Sequence, residues 1–181
     1  LAFGVVAACT MSFVRVIAAT AVLYLPLALA LLPLIAAPFL TGAAIVLVGL
    51  RRARQERVEV QTLQNPLQFG AALQMAVLFQ AVLFLVAGVR AVWGDVGLIV
   101  SGAVLGIADI DALMISMART ASTGASAAPA AAAVAVGILS NTLFKLALAG
   151  GLGRGRYRPA AVAGLAAMAA ASAIALAWGR V

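Results

Sequence analysis

Apolar residues in this chain come in long runs of about twenty, the length of helix that crosses the hydrocarbon core of a bilayer. The runs lie at about 1–23, 25–50, 66–89, 96–118, 129–150 and 160–178, and short polar stretches separate them. The chain has 181 residues, of which 66% are hydrophobic and 9% charged. A soluble domain carries about 25% charged residues, and a body of this size has no interior large enough to hide so much apolar surface. The expectation is an all-α fold: one polytopic transmembrane helical bundle over residues 1–181, with about six membrane segments. A first run that opens at Leu1 without a methionine reads as part of a longer protein.

The polar stretches set the orientation. Arg51, Arg52, Arg54 and Arg57 begin a loop over residues 51–65, which the positive-inside rule makes cytoplasmic. Pro26, Pro33 and Pro38 in the second segment predict a kinked or broken helix, because each removes a backbone donor. Gln68, Gln74 and Gln80 in the third do not share a helix face and read as scattered contacts between helices. The fourth segment places Gly97, Gly102 and Gly106 ahead of Asp109 and Asp111, which suits a broken or re-entrant helix. With six crossings, the preferred arrangement, the loop and terminal arginines divide six against four, and the Arg154, Arg156, Arg158 turn lies opposite the first arginine loop. With a re-entrant fourth segment both clusters share one side, and the division is seven against three.

An offset of 130 residues aligns Thr10-Met11-Ser12-Phe13-Val14-Arg15 with Ser140-Asn141-Thr142-Leu143-Phe144-Lys145. Both windows read hydroxyl, variable, hydroxyl, apolar, apolar, base. They suggest an internal repeat of the kind from which transporters are built, with sites near mid-membrane at the repeat interface. On that reading the partner of segments three and four lies in upstream membrane segments of the same protein.

Several chemistries are excluded. The chain has no His and one cysteine, Cys9, so neither zinc sites of the usual His/Cys kind nor Cys–His catalysis nor disulfide frameworks are available. No enzyme activity and no cofactor are expected; a metal, if bound, is a hard cation such as Mg²⁺ on oxygen ligands. The net charge of +7 is explained by loop arginines rather than by nucleic acid.

Four charges sit inside apolar segments: Arg15, Asp109, Asp111 and Lys145. Each costs at least about 2.5 kcal/mol at a helix centre, and together they cancel. Asp109 and Asp111 are the candidate cation or proton ligands, and because residues two apart point about 200° apart on a helix, they share a target only where the helix is unwound. Gly102 and Gly106 provide either that break or close packing. Gly137, Asn141 and Lys145 lie at i, i+4 and i+8 on one helix face, with Asn141 as a neutral ligand and Ser140 beside it. Lysine in a chain that otherwise uses arginine adds a group able to lose its proton. The alternative is a structural ion-pair cluster that clamps the helices.

Four stretches match a known pattern: Asn65-Pro66, Gly94-Asp95-Val96-Gly97-Leu98, Gly106-Ile107-Ala108-Asp109-Ile110-Asp111-Ala112 with Ser116-Met117-Ala118, and Ser140-Asn141-Thr142-Leu143-Phe144-Lys145. In that order they resemble the C-terminal membrane domain, of unknown function, of bacterial MgtC/SapB-family proteins. The resemblance implies a multi-pass protein of the bacterial inner membrane and a link to magnesium limitation and ion homeostasis. Two readings follow. One is transport of a cation, Mg²⁺ or a proton-coupled ion, through the carboxylates. The other is a non-transporting regulator or scaffold that meets a second copy or another membrane protein in the lipid bilayer.

Overall fold

The structure, a computed structural model, describes residues 2–53, 98–123, 126–153, 155 and 157–179. Segment three with Gln68, Gln74 and Gln80, most of the 51–65 loop, Asn65-Pro66, and Arg154 and Arg156 lie outside the described residues. All described elements are helices: α1 (Ala2–Leu23), α2 (Leu25–Ala53), α3 (Leu98–Ala108), α4 (Ile110–Ser122), α5 (Ala127–Leu152) and α6 (Tyr157–Trp178). Among them α1, α2, α5 and α6 are long and apolar enough to cross a membrane. Val22, Met11 and Leu40 stand 87%, 65% and 64% exposed, a surface that suits lipid and would aggregate in water.

The second segment is continuous rather than broken. α2 is one helix through Pro33 and Pro38, because each proline deletes a single i−4 bond and neighbouring helices hold the rest of the ladder. Pro26 falls in the first turn, where an absent N–H costs nothing.

Packing follows from where small residues let helices approach. Gly49 lies against the Phe3 ring and Gly42 against Thr10, so α1 and α2 form an antiparallel hairpin turned at Tyr24. Gly150 lies opposite Val162, which makes α5 and α6 a second antiparallel hairpin. Gly42 meets Met168 and Gly179 meets Leu34, so α2 and α6 also run antiparallel, while Val6 packs on Gly164 between α1 and α6. The buried core, with Val6, Val16, Leu27, Leu31, Leu165 and Met168, lies between the two hairpins.

The hairpins are inverted relative to each other. α1 runs opposite to α5 and α2 opposite to α6, and these are the pairs that the 130-residue offset superposes. α1 packs on α2 and α6, α5 packs on α6 and α2, and α2 meets α6. Exchanging the two hairpins leaves this set of neighbours unchanged, as a two-fold axis through the bundle requires.

Segment four is not one helix. α3 has 11 residues and α4 has 13, or about 17 and 20 Å of helix against a hydrocarbon core of about 30 Å. Gly102 sits against the Ala133 backbone and Gly106 against that of Gly137, so α3 runs parallel to α5. Leu113 returns to the same Gly137, and four residues separate the end of α4 from the start of α5. The two short helices thus form a V whose open end lies at the N-terminal end of α5 and whose tip, Asp109, lies at its middle. The chain between α4 and α5 is shorter than the loop expected over 119–128.

Candidate functional site

Asp109 makes the break. Its backbone is extended (φ −156°, ψ 107°), and its Oδ1 accepts the N–H groups of Asp111 at 2.9 Å and Ala112 at 3.2 Å. It is the N-cap of α4, doing for two orphan donors what an aspartate does at the start of a soluble helix. Asp111, in the first turn of α4, favours the same positive helix end.

The other side of the break is held from α5. The carbonyl of Gly106 would bond to residue 110 if α3 continued; instead it accepts from Asn141 Nδ2 at 2.9 Å. That bond is possible because α3 lies directly on the α5 backbone: a Cβ on Gly106 would collide with the Gly137 backbone, and a Cβ on Gly137 would meet Leu113 Cδ2 of α4 and the Gly102 carbonyl of α3. Gly102 makes the same close approach at Ala133. The three glycines and Asn141 therefore act as one device, which docks a half-helix and satisfies its open end.

The charges divide into two places. Arg15 Nη2 reaches Asp111 Oδ2 at 2.8 Å, with side chains 61% and 42% exposed. Lys145 is not in this pair: its Nζ lies 3.8 Å from Cys9 Sγ and makes no ion pair among the described residues. It lines a cavity of about 420 Å³ with Val5, Leu148, Ala149, Leu152 and Tyr157. Cys9, buried in α1, carries no signal in the sequence that could have linked it to Lys145. Ser140 is half-buried on α5, one residue from Asn141.

The carboxylates do not converge. Asp109 turns back on its own helix and Asp111 turns outward to α1, and no three of His, Cys, Asp or Glu cluster among the described residues. Protein oxygens here do not build a closed cage for a dehydrated Mg²⁺. What the arrangement offers is one carboxylate, Asp111, held by an exchangeable arginine at a point where two half-helices end.

A family model described as a domain of unknown function, DUF4010, matches residues 1–153. The chain belongs to the DUF4010 family. No curated protein and no solved structure matches it. The DUF4010 match takes in Arg15, the α3–α4 hairpin, Asn141 and Lys145, and it does not tie the chain to MgtC/SapB proteins.

Proposed function

We propose that this DUF4010 domain is a carrier for a small cation in the bacterial inner membrane, working without a cofactor and without covalent chemistry, with Asp111 as its exchangeable ligand. The observation that carries the reading is the V of α3 and α4. Two half-helices end at mid-depth of the bundle, and a carboxylate beside the break is held, among the described residues, by a partly exposed arginine. Discontinuous helices at the interface of inverted repeats are where secondary carriers hold their ions, and the two hairpins here are inverted. The cation displaces Arg15 from Asp111 and keeps most of its water, since one carboxylate is available; a proton would need the same group alone. Asp109 and Asn141 hold the half-helix ends, while Lys145 lies apart from the carboxylates, beside Cys9. The resemblance to MgtC/SapB proteins makes Mg²⁺ the first ion to test.

The same geometry supports a re-entrant hairpin, in place of six crossings. α3 and α4 then enter from one face and return to it, and the arginines near residues 51 and 158 share the other face, which is cytoplasmic by the positive-inside rule.

A regulator without transport is the second reading. It is favoured by the partners already found: Asp109 is committed to a cap and Asp111 to Arg15. Uptake into liposomes decides between them. Wild type should take up Mg²⁺ or protons, Asp111→Asn should lose that flux, and Asp109→Asn, which keeps a capping oxygen, should retain it in part. Flux untouched by Asp111→Asn refutes the carboxylate; no flux for any of a panel of cations gives the regulator.

A further inference from the structure

The cavity beside Lys145 has a chemistry that a cation carrier does not use. α1 rests on α2, α6 and α4, and α5 rests on α6, α2 and the V, which leaves a groove between α1 and α5. Val5 of α1, Lys145, Leu148, Ala149 and Leu152 of α5, and Tyr157 of α6 line about 420 Å³ there, within the range of small-molecule sites. Leu148, Ala149 and Leu152 follow Lys145 by three, four and seven residues, so one face of α5 carries a charge at one end and hydrocarbon along the rest.

Lys145 is the lining residue furthest from the end of the bundle. Leu152, Gly153 and Tyr157 lie where α5 ends and α6 begins, and Val5 lies in the first turn of α1. Lys145 is eight residues before Gly153, or about 12 Å of helix. Among the described residues its polar neighbour is Cys9 Sγ at 3.8 Å, and a thiol sulfur is a weak acceptor for a group with three donors. A charge held among apolar side chains is costly unless an anion answers it. The exposed Arg158 stands beside Gly153 at the rim and attracts the same sign.

We propose that this cavity binds a small organic carboxylate with an apolar body. The carboxylate meets Lys145 Nζ, and the hydrocarbon lies against Val5, Leu148 and Leu152 with Tyr157 at the mouth. The order of groups with depth selects this class over a phospholipid, whose phosphate stays at the membrane surface so that its chains, not its phosphate, would cover the ammonium. Depth also sets the size: the body is no longer than the about 12 Å between Lys145 and Gly153. The site shares no residue with the Arg15–Asp111 pair, so it stands or falls apart from cation transport.

Equilibrium dialysis of radiolabelled benzoate and hexanoate against the full-length protein in phosphatidylcholine nanodiscs tests it, with empty discs as the blank. Both should bind saturably, and acetate, which lacks the body, and hexanol, which lacks the charge, should each compete about tenfold less well or worse. Lys145→Met should weaken benzoate binding by about tenfold or more, the loss expected for one hydrogen bond to a charged group. Leu148→Trp keeps the lysine but fills the cavity and should abolish binding, so it decides the matter if Lys145→Met does not fold. Hexanol bound as tightly as hexanoate makes this a plain apolar cavity and overturns the proposal. Binding untouched by the variants overturns it, as does the absence of binding by any carboxylate. In discs that contain phosphatidylglycerol, benzoate should still bind; its displacement there gives Lys145 to a lipid headgroup and overturns the proposal equally.

Discussion

Asp109 and Asp111 are two residues apart and look alike in sequence, but the structure uses them differently. Asp109 closes the N-terminus of α4 through backbone bonds at 2.9 and 3.2 Å; Asp111 meets Arg15 at 2.8 Å. Asp109→Ala should therefore destabilise the detergent-solubilised protein by about 1–2 kcal/mol, and Asp109→Ser should recover most of that, as capping residues do. Thermal unfolding of the three proteins checks it, and equal losses for Ala and Ser would remove the cap from the account. The Arg15–Asp111 pair calls for a different experiment, because removing one partner leaves a lone charge near the middle of a membrane span. Arg15→Met and Asp111→Leu should each cost more than the double variant, with a coupling of about 0.6–1.7 kcal/mol if it resembles other polar contacts between membrane helices. Additive losses would mean that the pair is not formed in solution.

At the scale of elements, the decisive contact is α3 against α5. A methyl group at Gly106 runs into the Gly137 backbone, and one at Gly137 runs into the Gly102 carbonyl and Leu113, so either pushes the short helices off α5; the cost of such overpacking is about 1–3 kcal/mol. Gly137→Ala should lower the unfolding temperature and also break the bond from Asn141 to Gly106, since both depend on the same separation. Gly151→Ala, on the same helix with no described residue within 4 Å of where a Cβ would stand, should be neutral or slightly stabilising. If the two variants behave alike, the close approach is not what holds α3. This contact also marks what could be read before the structure. The bounds of α1, α2, α5 and α6 follow from apolar run length, and the break follows from glycines ahead of an acidic pair. The partner of the broken end could not be read, because Asn141 is 35 residues from Gly106 and nothing local distinguishes an amide that caps a half-helix from one that binds an ion. The charge balance was visible too, but its division was not: spacing says which residues share a face, and Lys145 beside Cys9 arises only from how α1 and α5 pack.

For the whole molecule, the inverted hairpins and the V act together on topology. α2 ends and α6 begins at one end of the bundle, while Tyr24 and Thr123 lie at the other. A fully crossing fourth segment would put the arginines near residues 51 and 158 on opposite faces; a hairpin that returns puts them on the same face, where seven of ten loop and terminal arginines then gather. The positive-inside bias and the 11- and 13-residue lengths of α3 and α4 favour the second arrangement for independent reasons, since one concerns charge and the other reach. With Cys9 replaced by Ala, single cysteines at Arg51, Arg158, Tyr24 and Thr123 can be labelled by an impermeant maleimide in sealed right-side-out vesicles. Tyr24→Cys and Thr123→Cys should react without lysis, and Arg51→Cys and Arg158→Cys only after it. Labelling of Arg51→Cys and Arg158→Cys from opposite sides would restore six crossings. It would also remove the inverted relation on which the carrier reading draws, because equivalent turns would no longer lie on opposite sides of the membrane.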